Sequence, residues 1–180
     1  PEDNGRERRV LIVTHPSIQS AWKNTVEDFD KKQTEKIAPS IDYITTGSIG
    51  NLVDNEDGDD DAEDDGEFGE ELGYHNYGLI MIDESHKFRN SDTAMYLALD
   101  DLIQQIGTNT GVSPYIGLLS ATPQNNRPND IKNQIYLFER NHIESTLKKA
   151  ESGNLERFFA EANHEYDTLI KAQENESDEE

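Results

Sequence analysis

Apolar residues recur along this chain at two spacings, and the two alternate. Val10 to Val13 form a short, largely β-branched run, apolar on both faces and too brief for a helix, which predicts a buried parallel strand. Ile18, Trp22, Val26 and Phe29 then recur at helical spacing. The segments "IDYITT" (41–46) and "LIMI" (79–82) predict a second and a third strand. Ser91 and Asp92 are candidate caps for a helix with Met95, Leu99, Leu102, Ile103 and Ile106 on one face, closed by Gly107. "YIGLLS" (115–120) predicts a fourth strand. From Asp130, the set Ile131, Ile135 and Phe138 marks another helix. After Asn154, the set Leu155, Phe158, Phe159, Ala162, Tyr166, Leu169 and Ile170 marks the last. Strands alternating with helices predict an α/β domain with a mainly parallel sheet.

In such sheets ligands bind beyond the carboxyl ends of the strands, so the residues after each strand are where chemistry is sought. Here they read "THPS" (14–17), "TGS" (46–48), "DESH" (83–86) and "SATPQNN" (120–126). A lone "DESH" is accounted for by ordinary capping and by strands having to surface. Four polar ends on one edge, one of them carrying paired carboxylates, point instead to a site.

Charge refines this picture by being local. The net charge of -22 is concentrated in "DNEDGDDDAEDDGEFGEE" (54–71) and in the tail from 174, "ENESDEE", and the remaining body is only mildly acidic. Like charges at that density repel and have nothing to bury, so the insert and the tail are expected to be solvated and disordered. Asp61, Glu63, Asp65 and Gly66 mimic the start of a calcium loop, but Leu72 stands where a bidentate Glu is required. With no cysteine, disulfides, thiolate metal sites and a cysteine nucleophile are excluded. No run approaches the roughly 18 apolar residues of a membrane span, and the first residues lack a basic-then-apolar signal pattern, so a cytoplasmic location without membrane contact is expected.

"LIMIDESHKFRN" resembles motif II and "LLSATPQNN" motif III of superfamily 2 helicases, particularly the Snf2-like DNA translocases. "LIVTHPSIQSAWKNTVEDF" is similar to their motif Ia region, and "IDYITTGSIGN" to their motif Ib strand. The similarity covers roughly residues 10–140 with the motifs in family order, and the "FRN" and "QNNRPNDIKNQIYLF" stretches look most like bacterial Snf2-related helicases. It implies a three-layer RecA-like lobe of the P-loop NTPase type, hydrolysing ATP with Mg2+ and moving on DNA. By the resemblance, Asp83 holds Mg2+ through water and Glu84 polarises the attacking water, with Ser85 and His86 completing the catalytic set. Ser120, Ala121, Thr122 and Gln124 couple hydrolysis to motion against a second RecA-like lobe. Pro16, Ser17, Thr45 and Thr46 lie along the DNA backbone, while Trp22 is expected in the core.

One family element is not spelled here. The phosphate-cradling loop, G-x-x-x-x-G-K-[ST], occurs nowhere in the chain, so the lobe is expected to be incomplete, without its Walker A strand and loop. The domain reading is a truncated leader over 1–9, a partial lobe over 10–143, a helical extension over 144–173 and an acidic tail over 174–180. Alone, the chain is expected neither to hydrolyse ATP nor to bind ATP and Mg2+ tightly. Two accounts are open: part of an ATP-driven DNA translocase, or a degenerate lobe serving as a non-catalytic binding module for protein or nucleic acid. Intact Asp83, Glu84 and Ser120–Pro123 favour the first. Family order further predicts that 115–119 pairs with 79–82, 79–82 with 10–13, and 10–13 with 41–45, leaving the far side of 115–119 as a sheet edge.

Overall fold

The computed structural model describes residues 8–50, 77–122, 127–140, 142, 145 and 154–177. They divide into two compact units, Pro1–Glu84 with Asp92–Leu119, and Ser85–Ser91 with Ser120–Glu180.

The first unit is built on strands β1 (Arg9–Thr14), β2 (Ile41–Thr45), β3 (Tyr77–Asp83) and β4 (Tyr115–Leu119), in the order β2-β1-β3-β4 with every neighbouring pair parallel. All three expected pairings are present. Paired on both sides, β1 and β3 are apolar because they can surface only at their ends, and they bury Leu11, Ile12, Val13, Ile80 and Ile82. β4 is the edge among the described residues, and Tyr115 at its start is 78% exposed. The β1–β3 register slips between Arg9 and Val10. Gly78 sits in that slip, where a Cβ would lie 2.8 Å from the Arg8 side chain.

Helix α1 (Pro16–Asp30) opens with proline, whose missing N–H costs nothing at that position, and His15 caps it by accepting from the Ser17 N–H at 3.3 Å. Its inner face differs from the expected one at the end: Phe29 is 48% exposed, and Asp30 is buried instead. The reason is polar, since the Asp30 carboxylate accepts the N–H groups of Ile37 at 3.0 Å and Ala38 at 2.9 Å and so turns inward under the following loop. Helix α2 (Ala94–Thr110) buries Tyr96, Leu99, Leu102, Ile103 and Ile106. Its boundaries correct the expectation: Thr93, rather than Ser91 or Asp92, is the cap, accepting from the Tyr96 N–H at 3.3 Å. The helix closes at Gly111, in the left-handed region at φ 72°, and not at Gly107. Gly107 lies within the helix, and a Cβ there would approach the Ser113 hydroxyl to 3.2 Å.

The second unit contains a 3-10 turn (Ser85–Phe88), α3 (Pro128–Tyr136) and α4 (Leu155–Ser177). Leu155 and Phe159 pack against Ile131, Ile135 and Tyr136, and Phe88 and Leu137 are fully buried. Phe138, expected on the α3 face, falls beyond the helix end and is 43% exposed. The helical extension begins at Leu155 and continues to Ser177, four residues into the tail expected to be disordered. No proline or glycine interrupts 155–177, so nothing in the backbone stops the helix at 173. The acidic insert 54–71, the leader 1–7 and residues 178–180 lie outside the described residues. No helix among the described residues is long and apolar enough to cross a membrane.

Candidate functional site

In the first unit the carboxyl ends of the strands gather around Asp83. It is the last residue of β3, paired in register with Leu119 at the end of β4, one residue before Ser120. Its Oδ2 accepts the Trp22 indole N–H at 2.7 Å and the Thr14 hydroxyl at 3.4 Å, and its Oδ1 accepts the Glu84 N–H at 2.9 Å. Thr14 is fully buried at the end of β1, and Trp22 stands on α1. Together with Ile18, Ala21 and Thr25, Trp22 and Asp83 line an open hollow of about 310 Å³. Each donor to Asp83 is neutral, and no lysine, arginine or histidine among the described residues forms an ion pair with it. The carboxylate is therefore oriented without being neutralised.

Glu84 follows in the left-handed region at φ 55°, the sole described residue other than glycine with positive φ. An L-residue there costs about 1 kcal/mol, a penalty that surrounding structure must over-determine.

The other expected residues of this edge divide by exposure. Pro16 and Ser17 are exposed at the start of α1. Thr46 is buried and donates its N–H to the Thr14 carbonyl at 3.0 Å, and the Thr45 hydroxyl shares a hydrogen bond with Ser48 at 2.8 Å. Thr46 thus ties the end of β2 to the end of β1.

In the second unit, Ser85 is buried, with its hydroxyl donating to Gln134 Oε1 at 2.9 Å. His86 Nδ1 lies 3.2 Å from Ser120 Oγ, and the same oxygen accepts the Thr122 N–H at 3.2 Å. His86 and Thr122 thereby meet at one serine hydroxyl within the second unit. Ala121 and Thr122 are exposed, and Gln124 lies outside the described residues.

A magnesium ion suits the donor set at Asp83. Mg2+ keeps several waters and is commonly held by one or two carboxylates together with substrate phosphates. Asp83 offers one ionic oxygen ligand of that kind, and no cluster of three or more ligating side chains occurs among the described residues.

Three contributors escaped the sequence reading. Thr14 stood in a flagged stretch but was not singled out. Trp22 was expected in the core, whereas it is half-buried and spends its N–H on Asp83, because a tryptophan N–H removed from water needs an acceptor. Gln134 gave no sign, since a glutamine on an amphipathic helix looks like a surface residue.

Fold and edge together define an α/β unit with a parallel sheet that carries an oriented, uncompensated carboxylate at its carboxyl end. Over 69 residues, 38% of this chain, the sequence is 36% identical to the uncharacterized ATP-dependent helicase YqhH of Bacillus subtilis (strain 168), so the resemblance to helicases is met in a named protein. That stretch is 11% of the relative's length. A solved structure, the Sulfolobus solfataricus SWI2/SNF2 ATPase core in complex with dsDNA, is similar with a TM-score of 0.48 and 15% identity, over 91% of this chain and 32% of that one. No family model matches the chain.

Proposed function

We propose that these residues form part of the ATP-hydrolysing motor lobe of a Snf2-like DNA helicase or translocase. The observation that carries this reading is Asp83: a carboxylate at the carboxyl end of a central parallel strand, held through both oxygens by neutral donors and left with its charge. Such a group is suited to a cation, which Asp83 would hold through water. Bound Mg2+ supplies neutralisation of phosphate charge. Glu84, the next residue, is the base that orients the attacking water, and its left-handed backbone is the kind of strain that collects at functional sites. Ser120, whose hydroxyl meets His86 Nδ1 and accepts the Thr122 N–H, and Thr122 couple hydrolysis to lobe motion, with Gln124 in the same relay. Pro16 and Ser17, exposed at the start of α1, and Thr45 and Thr46 at the end of β2 follow the DNA backbone. The buried Ser85 serves the site by anchoring its turn to Gln134. The reading assigns the phosphate cradle to chain segments other than these residues, and the protein to the cytoplasm.

Glu84→Gln in the complete gene product tests it. The substitution keeps size and polarity and removes the base, so ATP binding should persist while DNA-stimulated hydrolysis falls by about 100-fold or more. Unchanged turnover would mean that Glu84 is not the catalytic carboxylate and that the motor reading fails.

A further inference from the structure

Trp22 is the chain's single tryptophan, and its ring faces the open hollow while its one polar atom is committed to Asp83. An indole nitrogen only donates and carries no charge. A bond from it therefore fixes the rotation of a carboxylate without cancelling its charge, as a lysine or arginine would. The bond is short, 2.7 Å, against 3.4 Å for the Thr14 hydroxyl on the same oxygen. A carboxylate has about four accepting positions. Trp22 and Thr14 occupy those of Oδ2, and the Glu84 N–H takes one of those of Oδ1, so the position left open is on Oδ1.

We infer that Trp22 is a positioning residue for Asp83: its indole N–H pins Oδ2, so that Oδ1 is the oxygen presented to a hydrated divalent cation. This rests on the reading of Asp83 as the magnesium ligand of a motor lobe. It assigns to the helix after the first strand a part in the chemistry, in place of the purely packing role that a tryptophan on an amphipathic helix suggests. The alternatives nearby do not substitute for it. Thr14 is too distant to hold the carboxylate alone, and Ile18, Ala21 and Thr25, which share the hollow, make no hydrogen bond to Asp83.

Two measurements test the assignment. A single tryptophan gives a single indole N–H signal in a nitrogen–proton correlation spectrum of the 180-residue chain, so that signal reports the contact directly. Asp83→Asn and Asp83→Ala should both shift it; a signal unmoved by either would mean the bond is not made and overturns the assignment. In the complete gene product, Trp22→Phe keeps the ring and removes the donor. Its kcat should fall about tenfold, with the Mg2+ concentration for half-maximal rate raised several-fold and the KM for ATP unchanged, as expected for losing one hydrogen bond to a charged group. Trp22→His, which retains an N–H, should recover part of the loss. Wild-type kcat and Mg2+ dependence in Trp22→Phe, alongside a dead Glu84→Gln, would show that the motor reading stands and that Trp22 only packs. A gene product whose hydrolysis is indifferent to Glu84→Gln would remove the motor reading and this assignment with it.

Discussion

Two aspartates in the first unit are each held through both oxygens, and they are held by opposite means. Asp42, near the start of β2, faces the guanidinium of Arg9 on β1, which donates at 2.6 Å and 2.5 Å. That hydrogen bond, followed by the attraction of the two charges, raises the Arg9 pKa above its ordinary value. Tyr77, at the start of β3, lies beside the pair. Burial first, and then the negative charge of Asp42, push its phenol well above the ordinary tyrosine range. Asp83, at the far end of β3, has an indole, a hydroxyl and a backbone amide instead. The first arrangement sets a guanidinium against the carboxylate and joins the amino ends of β1 and β2. The second leaves the charge in place and aims it. Electrostatically, the first is a clasp, and the second presents a carboxylate with no cationic partner among the described residues.

The strongest way to break this comparison is to neutralise each aspartate in turn in the complete gene product. Asp83→Asn keeps shape and, on the proposed reading, should lower Mg2+-dependent ATP hydrolysis by about 100-fold or more, because the hydrated cation would lose the carboxylate's charge. Asp42→Asn should leave hydrolysis within about twofold. Equal losses would mean that Asp42 is not a clasp alone. Stability should rank the other way. Asp42→Ala strands a partly buried guanidinium and should lower the unfolding free energy of the chain by about 1–2 kcal/mol in urea titrations, whereas Asp83→Asn should change it by less than about 0.5 kcal/mol.

A smaller effect sharpens the contrast at the level of the backbone. Gly111 and Glu84 both occupy the left-handed region, at φ 72° and 55°. At Gly111 the requirement is structural, the close of α2, and glycine meets it without strain. Gly111→Ala should therefore cost about 1 kcal/mol of stability. Glu84→Gly should cost nearly nothing in the same assay, since relief of strain offsets the entropy that glycine adds. A large loss there would mean that Glu84 stabilises the fold, contrary to the role proposed for it.

Most of the sheet was legible because its signal is local and redundant. "VLIV", "LIMI" and "YIGLL" are short apolar runs between polar stretches, and each became a strand with the expected neighbours. Helix ends were less legible. Ser91, Asp92 and Thr93 all have capping oxygens, so the sequence alone cannot choose among them, and Gly107 resembled a terminator when it was needed for its closeness to Ser113. The candidate site was legible as far as its letters: Asp83 and Glu84 announce themselves as a carboxylate pair after a buried strand. Their supports did not. Thr14 and Trp22 reach Asp83 across 69 and 61 residues of sequence, and Gln134 reaches Ser85 across 49; periodicity cannot register a partner that far away. Tryptophan is the instructive case, because its ring satisfies the helical pattern while its nitrogen bonds a carboxylate on another element.

The finest distinction concerns a third aspartate, Asp30, which shares features of both. Like Asp83 it is held by neutral donors, the backbone N–H groups of Ile37 and Ala38; like Asp42 it serves structure, pinning the loop that leads from α1 to β2. Those two amides, Ile37 first and Ala38 next, favour the charged carboxylate and hold its pKa below the ordinary 3.8. A carboxyl whose folded pKa is depressed adds stability above its unfolded value, and that contribution is lost as pH falls through the lower folded value. Asp30→Asn should therefore destabilise the chain near neutral pH, by an amount that shrinks as the solution is acidified from about pH 5 to about pH 2. Acid also relieves the repulsion of a chain with net charge -22, which shifts the stability of both proteins. The difference between variant and wild type, followed by thermal unfolding across that range, isolates the Asp30 contribution. A difference that stays constant with pH would show that the two amides do not discriminate between the charged and neutral forms. The role assigned to neutral donors at Asp83 would then lose its nearest internal parallel.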